Sequence, residues 1–372
     1  MPFSICFRIM TSEMPWCKKS LVGVALAVLA GFVGSAAAES NREYVVSTIA
    51  GGVAPVTPVA ARNAAIGSIS GMTVDSAGNV YLSTDLHCVF KIDPAGILTR
   101  FAGTCRPGYT GDGGPAVNAQ LRRPTGMAVD ANGGLYIADA DAQVIRKVLP
   151  DGTITTIAGN GWTGTTGDGG PAIKASITNP HGVAVDSAGS VYIVENNGIR
   201  RVSEDGTITN LVGNGVPGIS VDGGTAIKIQ FPGASSIAVD SGGNLYFSNL
   251  FSSGVGRISP SGMIGAVTGT GKVGDIVPAP GPPLPPPAEL ATDHDGNLYI
   301  TDRRDFHILK VSASGVIAAI AGNGKQGSSG DGGPAISASV NPMLLAVDAH
   351  GTVYFVEPRP VGWSLRKICR TA

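Results

Sequence analysis

Short runs of alternating apolar and polar residues fill most of the chain, and Gly, Asp and Ser separate them. One stretch reads HGVAVD, a turn at SAGS, VYIVE, a short connection, GIRRV, a turn at SEDG, and TITNLVG. Such β-branched runs are typical of strands, and Gly and Asp between them are typical of tight turns. The pattern predicts four consecutive strands, here called a to d, and few long helices.

The part of this pattern that covers strands a and b recurs six times along the chain. The copies are MTVDSAGNVYL, MAVDANGGLYI, VAVDSAGSVYI, IAVDSGGNLYF, LATDHDGNLYI and LAVDAHGTVYF. Their aspartates are 53 to 56 residues apart, at Asp75, Asp130, Asp186, Asp240, Asp293 and Asp348. A four-stranded unit repeated at this period predicts an all-β, six-bladed β-propeller with four-stranded blades.

Strand c of each unit alternates apolar and basic residues, as VFKI, VIRKV, IRRV, VGRI, ILKV and LRKI. Because successive side chains of a strand point to opposite faces, one face of strand c should pack and the other should be solvated. We therefore expect the basic residues of strand c to face water.

The sixth unit ends at SLRKICRTA, which is its strand c, and no fourth strand follows. Near the other end of the chain, EYVVSTIAGG matches the strand d sequence TITTIAGNG of the second unit. We therefore predict that residues 43–51 form the outer strand of the blade built from residues 342–370. An N-terminal strand would then complete the last blade and close the propeller.

A glycine-rich string appears three times between strand d of one unit and strand a of the next. It reads GDGGPAVNAQL from Gly111, GDGGPAIKASI from Gly167 and GDGGPAISASV from Gly330. Glycine permits positive φ, the Asp can accept backbone N–H groups, and Pro can start a short helical turn. A structural corner, with Ala116, Ala119 and Leu121 buried between blades, is the favoured interpretation. The alternative is a calcium site using the carboxylates Asp112, Asp168 and Asp331.

The corner is degenerate or absent at two other blade connections. At Asp222 the string has changed to VDGGTAIKIQF, and the following connection reads GKVGDIVPAPGPPLPPPAEL. The prolines between Val273 and Pro287 predict a stiff polyproline segment. That segment is either a spacer or a docking surface for a partner.

The combination of VD..GN.Y, IRKV and GDGGPA resembles the NHL-repeat β-propellers over residues 44–372. The resemblance is to the long-repeat type of bacterial secreted proteins and of the teneurin propeller. It implies the propeller fold, whereas function stays open because this scaffold hosts adhesion modules, RNA readers, lactonases and lyases.

The first residues predict export. Lys18 and Lys19 precede the apolar run LVGVALAVLAGFVG, and Ala36 and Ala38 form an A-x-A cleavage pattern. We expect a signal peptide over residues 1–38 and a secreted or periplasmic propeller over 39–372; the alternative is an uncleaved membrane anchor. Removing the signal would leave 23 basic and 26 acidic residues. This balance favours neither nucleic acid nor anionic membranes as partners, and we expect a monomer.

Three cysteines lie outside the predicted signal, Cys88, Cys105 and Cys369. In an exported chain a pair of them can be oxidised, and no C-x-x-C spacing indicates a zinc or redox site. Cys88 opens strand c and Cys105 follows strand d of the same blade, so we predict a Cys88–Cys105 disulfide. The loop before Cys105 must fold back to allow it.

The residues that end strand b should lie on the face that also carries the connections between blades, here called the top face. They are Thr84, Asp139, Glu195, Asn249, Asp302 and Glu357. Four carboxylates and an amide among them can form a ring for a ligand or a metal. Alternatively, each acid pairs with the basic residue of its own strand c, as Asp139 would with Arg146; an acid here is typical of the NHL pattern.

The number of channel-facing histidines distinguishes a binding module from one kind of NHL-type enzyme. The amidating lyases of this type hold zinc with several such His residues. Only His181 occupies such a position here, where the other units have Ser70, Thr125, Ser235, Ala288 and Met343. The favoured function is therefore a binding or adhesion module for a protein or small ligand, with no cofactor. The alternative is a metal-dependent hydrolase or lyase, lactonase-like, with Glu195 and Asp302 as cation ligands and His181 as base.

Overall fold

The computed structural model describes residues 44–50, 57–64, 66–196, 198–213, 233–249, 254–268, 289–359 and 362–370. In these residues the strands form six antiparallel sheets arranged as blades around a channel. The sixfold repeat and the four-stranded blade predicted from the sequence are both confirmed. The helices in the described residues are short 3₁₀ turns, at Ala61–Asn63, Ala116–Asn118, Ala140–Ala142, Ala172–Lys174 and Ala335–Ser337.

The strands are numbered in chain order. The first two are β1 (Tyr44–Ala50) and β2 (Val59–Ala60). Blade 1 contains β3 (Ile69–Val74), β4 (Val80–Thr84), β5 (Cys88–Ile92) and β6 (Ile97–Ala102), with β2 at its outer edge. Blade 2 contains β7 (Pro124–Val129), β8 (Leu135–Asp139), β9 (Val144–Val148) and β10 (Ile154–Ala158). Blade 3 contains β11 (Gly182–Val185), β12 (Val191–Glu195), β13 (Gly198–Val202) and β14 (Ile208–Val212).

The second half of the ring follows the same order. Blade 4 contains β15 (Ala234–Val239), β16 (Leu245–Asn249), β17 (Gly254–Ile258) and β18 (Ile264–Thr268). Blade 5 contains β19 (Leu290–Thr292), β20 (Leu298–Asp302), β21 (His307–Val311) and β22 (Ile317–Ala321). Blade 6 contains β23 (Leu344–Val347), β24 (Val353–Pro358), β25 (Trp363–Arg370) and, as its outer strand, β1.

The ring closes at the sixth blade as the sequence predicts. β1 pairs antiparallel with β25, with Val46 opposite Ile368, and both of these side chains are fully buried. The first strand of each blade contacts the first strand of the next, and β23 contacts β3 to complete the circle. Both ends of the described chain are therefore held in one sheet.

Each repeat aspartate holds the turn that follows its inner strand. Asp130 Oδ1 accepts the backbone N–H of Gly134 at 2.7 Å, and Asp130 Oδ2 accepts the hydroxyl of Tyr136 at 3.1 Å. The same Asp–Tyr hydrogen bond, six residues apart, forms in all six blades at 2.9 to 3.3 Å. The spacing of the repeated motif is thus set by a turn in which the Asp carboxylate accepts the backbone N–H groups that have no carbonyl partner there.

The hydrophobic cores lie between neighbouring blades. Tyr136 and Ala138 of β8 are buried together with Val183 of β11 and Ile193 of β12. The segment after each full corner is part of this packing, since Ala116, Ala119 and Leu121 are almost completely buried beside β7 and β8. Their predicted role in filling the space between blades is confirmed.

Three parts of the sequence interpretation lie outside the described residues. These are the signal peptide over 1–38, the degenerate corner at Asp222 and the proline-rich segment from Val273 to Pro287. Within the residues that the structure does describe, no helix is both long enough and apolar enough to cross a membrane.

Candidate functional site

The three glycine-rich corners are anchored by buried arginines of the following blade. Asp112 pairs with Arg146 of β9 at 2.6 Å, and Asp168 pairs with Arg200 of β13 at 2.8 Å. Asp331 pairs with Arg366 of β25 at 2.7 Å. Each Asp therefore bonds a side chain of the next blade, a contact that the sequence analysis did not anticipate for the corners.

The same arginines also hold the ends of the corner loops. Arg366 donates to the carbonyl oxygens of Ser329 at 2.9 Å and of Ser339 at 3.2 Å, which lie before and after the loop. Arg200 makes the equivalent bonds to Thr166 and Ser176. One guanidinium therefore fixes a whole corner, because its planar fork offers several donors in rigid geometry.

The expectation that strand c has a solvated basic face is wrong for these arginines. Arg146 and Arg366 are 0% exposed and Arg200 is 3% exposed. The equivalent residues opposite strand b in the remaining blades are uncharged: Phe90, Gly256 and Leu309. Arginine occurs in the three blades that a complete GDGGPA string precedes, so the corner and its arginine form one structural unit.

The acids that end strand b are buried and bonded locally. Asp139 accepts the backbone N–H groups of Arg122 and Arg123 at 3.0 and 2.8 Å. Glu357 accepts from Arg366 at 3.2 Å and also bonds the hydroxyl of Ser328. Asp302 accepts the backbone N–H of Arg304 at 2.9 Å. Glu357 thus pairs with the basic residue of its own strand c, which is the alternative that the sequence offered to a ligand ring. Asp139 and Asp302 are held by backbone N–H groups instead, and Arg146 pairs with Asp112 and not with Asp139 as expected.

Glu195 differs from the other acids of this set. Its Oε2 accepts the N–H of Thr178 at 3.0 Å, whereas its buried Oε1 has no hydrogen-bond partner among the described residues. Arg200 lies 3.6 Å from that oxygen. Burial raises the pKa of Glu195 to about 7, and the nearby N–H group and Arg200 oppose the shift. Burial likewise raises the pKa of Asp139, which Arg123 and Arg122 counteract through their backbone N–H groups.

The predicted ring of site residues thus consists of separate local arrangements. The second strand of each of blades 2 to 6 has one of these residues as its last or last but one: Asp139, Glu195, Asn249, Asp302 and Glu357. Asn249 lies opposite Gly254 in the register. Within the described ranges, no three His, Cys, Asp or Glu side chains are placed to share a metal ion. Whether these residues take part in ligand binding stays a prediction.

The channel contains a cavity of about 230 Å³ lined by the inner strands of all six blades. His181 lies at its edge, with Nδ1 2.9 Å from the carbonyl oxygen of Asn179 and Nε2 2.7 Å from that of Ala234. Both ring nitrogens therefore contact the backbone, and His181 joins blade 3 to blade 4. A histidine held in this way has no lone pair directed at the channel.

Glu289 is a channel residue that the sequence analysis missed. It precedes β19 and lines the cavity, at the position occupied by Gly71, Gly126 and Gly182 in the first three blades. Its Oε1 accepts the hydroxyl of Ser236 at 3.1 Å, and burial raises its pKa to about 8. An acid at a position that otherwise carries small or apolar residues was the available signal.

The disulfide prediction is confirmed, since Cys88 and Cys105 are bonded. Cys105 has a φ of 57°, a left-handed backbone conformation that folds the loop back toward β5. The bond joins the start of β5 to the connection that follows β6, on the top face of blade 1.

A family model described as the Teneurin NHL domain matches residues 102–166 and 161–220. These residues include two complete corners and the strands of blades 2 and 3. The chain belongs to the NHL-repeat β-propellers. The family resemblance seen in the sequence is therefore confirmed.

This NHL propeller is 31% identical to Teneurin-3 of Mus musculus over 54% of its own length, and 27% identical to Teneurin-4 of Mus musculus over 77%. The alignments cover 8% and 12% of those proteins, so the chain matches a small part of each. A structural genomics protein of unknown function from Bacteroides thetaiotaomicron superposes with a TM-score of 0.62 at 16% identity, over 88% of this chain and 76% of that one. This superposition reflects the shared fold.

Proposed function

We propose that this NHL propeller is an exported, non-catalytic binding module that recognises its ligand or partner on the top face. The observation that supports this proposal most directly is the state of the top-face acids. Asp139, Asp302 and Glu357 are buried and accept hydrogen bonds from backbone N–H groups or from Arg366. A carboxylate that already accepts these hydrogen bonds is a poor ligand for a divalent cation, and it is also a poor catalytic base.

The corner aspartates support the same proposal. Asp112, Asp168 and Asp331 are the candidate calcium ligands, and each lies within 2.8 Å of a guanidinium nitrogen. An arginine this close repels a cation and occupies one carboxylate oxygen, which weakens the site that calcium would need. We therefore expect the corners to shape the top face and to leave the exposed parts of the loops for recognition.

The test combines metal analysis with ligand screening of the purified full-length protein. We expect less than stoichiometric zinc and calcium by elemental analysis, and a rise in melting temperature with at least one class of small ligand in a panel of sugars, organic acids and lactones. Stoichiometric bound metal, together with lactone turnover that Glu195→Gln abolishes, would replace the binding module with an enzyme. The matched control is Asp305→Asn, an exposed carboxylate of the same face.

One observation favours the alternative of a lactonase-like enzyme. Glu289 holds its proton near neutral pH and lies in a polar part of the channel with Ser235, Ser236 and His181. A neutral carboxylic acid in a cavity can act as a general acid. If the channel is catalytic, Glu289→Gln should abolish turnover of a lactone while the melting temperature is maintained; if the top face only binds, no lactone should be turned over by either protein.

A further inference from the structure

The top face carries a second cavity, of about 530 Å³, between blades 5 and 6. Its walls come from the loop between β20 and β21, the corner between blades 5 and 6, and the adjoining ends of β24 and β25. The lining includes Arg303, Arg304, Phe306, Gln326, Asn341 and Trp363. This volume is in the range of small-molecule pockets in proteins.

The charge of this cavity is one-sided. Arg303 and Arg304 both line it, and among the described residues that line it none is acidic. The neighbouring Asp302 is turned to the backbone N–H groups of Arg304 and Asp305, at 2.9 and 3.1 Å. Two guanidinium groups beside two amide side chains make a donor-rich wall that suits an oxyanion.

Arg303 has an unmet hydrogen-bonding requirement. Its Nε is buried and lacks a hydrogen-bond partner within the part of the chain that the structure describes. A buried unpaired donor costs free energy, and a shift of the Arg303 side chain that places Nε against a ligand oxygen in the cavity would recover it. Arg303 is therefore prepared for an acceptor that the described protein does not supply.

Comparison with the other blades shows why the space is open here. The residue before strand c has positive φ in blades 1, 2 and 5, as His87, Gln143 and Phe306. His87 contacts the carbonyl of Arg122 at 2.6 Å, and the Gln143 side chain accepts the N–H of Asn179 at 2.6 Å. Each thereby bridges to the next blade. Phe306 cannot make such a bond, so the equivalent gap in front of Asn341 remains as a cavity with an aromatic wall.

We propose that the cavity between blades 5 and 6 binds a small molecule that carries a carboxylate or phosphate on a flat apolar group. The oxyanion would lie against Arg303 and Arg304, and the apolar part between Phe306 and Trp363. This inference rests on the proposed binding function and assigns it a position and a ligand class. Aromatic faces beside guanidinium groups suit such a ligand because stacking and charge-assisted hydrogen bonds act together.

The probes are phenyl phosphate and phenylacetate, with uncharged phenylacetamide as the matched control. Trp363 can report binding directly if Trp16 and Trp162, the two other tryptophans of the chain, are replaced by Phe. We expect saturable changes in Trp363 fluorescence with at least one anionic probe. Phenylacetamide should bind at least about tenfold more weakly than that probe. Comparison of the affinities for phenyl phosphate and phenylacetate shows whether the cavity prefers a phosphate or a carboxylate.

Two variants localise the effect. Arg303→Gln should weaken binding of the anionic probe about tenfold or more. Arg106→Gln is its control, because it removes the same charge from an exposed loop of the same face between blades 1 and 2, and should change affinity less than about twofold. Phe306→Gln introduces the residue found at the equivalent position 143 and should weaken binding by bridging toward Asn341, with the melting temperature retained.

Several results would overturn this inference. Equal affinity for charged and uncharged probes would exclude the oxyanion, and equal loss in Arg303→Gln and Arg106→Gln would exclude this cavity as its site. Failure of both anionic probes to bind would exclude the ligand class. None of these outcomes contradicts the proposed binding function, which fails separately if the protein carries catalytic metal and turns over a lactone.

Discussion

Replacing Arg366 by Met should destabilise the propeller strongly while the neighbouring Lys367→Met should not. Arg366 is fully buried and pairs with Asp331 at 2.7 Å and with the fully buried Glu357 at 3.2 Å. It also donates to the carbonyls of Ser329 and Ser339. Methionine fills a similar volume but leaves Glu357 buried without its cation. Removing one partner of a buried ion pair costs about 3–5 kcal/mol.

Further variants divide that cost among its sources. Asp331 is 47% exposed, so Asp331→Asn should cost only about 1 kcal/mol, because water replaces part of its interaction. Adding Glu357→Gln to Arg366→Met should recover part of the loss, since the uncompensated charge disappears.

Urea unfolding followed by circular dichroism measures these differences, with thermal melting as a second readout. At ~2 °C per kcal/mol, Arg366→Met should melt about 6–10 °C below the wild type, and Lys367→Met within about 2 °C of it. Equal melting temperatures for Arg366→Met and Lys367→Met would contradict the role of the buried pair in holding the corner. A further loss of stability on adding Glu357→Gln to Arg366→Met would contradict it as well.

Three other predictions follow from the described contacts. Replacing both Cys88 and Cys105 by Ser should cost about 3 kcal/mol, read from urea unfolding without reductant, and a reductant should lower the wild type to the same midpoint. Deleting residues 44–50 should lower the melting temperature sharply because it exposes the edge of β25; an unchanged melt would mean that the last blade needs no outer strand. Glu289 has a pKa of about 8 in the folded protein, above its unfolded value, so between these two values the folded state binds more protons than the unfolded state. The free energy of unfolding should therefore fall as pH rises from about 5 to 8, by up to ~1.4 kcal/mol per pH unit. Glu289→Gln should reduce this slope, and identical pH profiles for the two proteins would contradict the assignment.

Periodicity determined most of the fold in advance. Alternating runs, a regular spacing of aspartates, a sixth unit without its fourth strand and an extra strand before the first unit were enough to predict six blades and the pairing of β1 with β25. These features depend on backbone pairing and on which face of a strand is buried, and both leave a regular signal in the sequence. The Cys88–Cys105 bond followed from the same topology.

The arginines of strand c and the acid in the channel were not predictable in the same way. Arg146 looks like a surface residue because it is charged and adjoins Lys147, and only the folded chain shows that Asp112 of the preceding corner covers it. A clue existed in the sequence, since arginine at this position and a complete corner occur in the same three blades. Glu289 and the cavity beside Arg303 depend on which side chains converge from different blades, and periodicity carries no such information.

The ion pairs give a physical criterion for separating stability from recognition on the top face. Charged residues whose groups are already paired, such as Glu357 and Asp139, were the apparent candidates for binding, and their substitution should act first on stability. Residues whose polar atoms face a cavity should act first on ligand affinity, as Arg303 and Glu289 would. A set of variants from both groups, measured for melting temperature and probe affinity together, should therefore fall into two classes. We expect Arg303→Gln to lose probe affinity at an unchanged melting temperature, and Arg366→Met to lose stability. This result would show that the repeated residues provide the scaffold and that residues departing from the repeat provide the site.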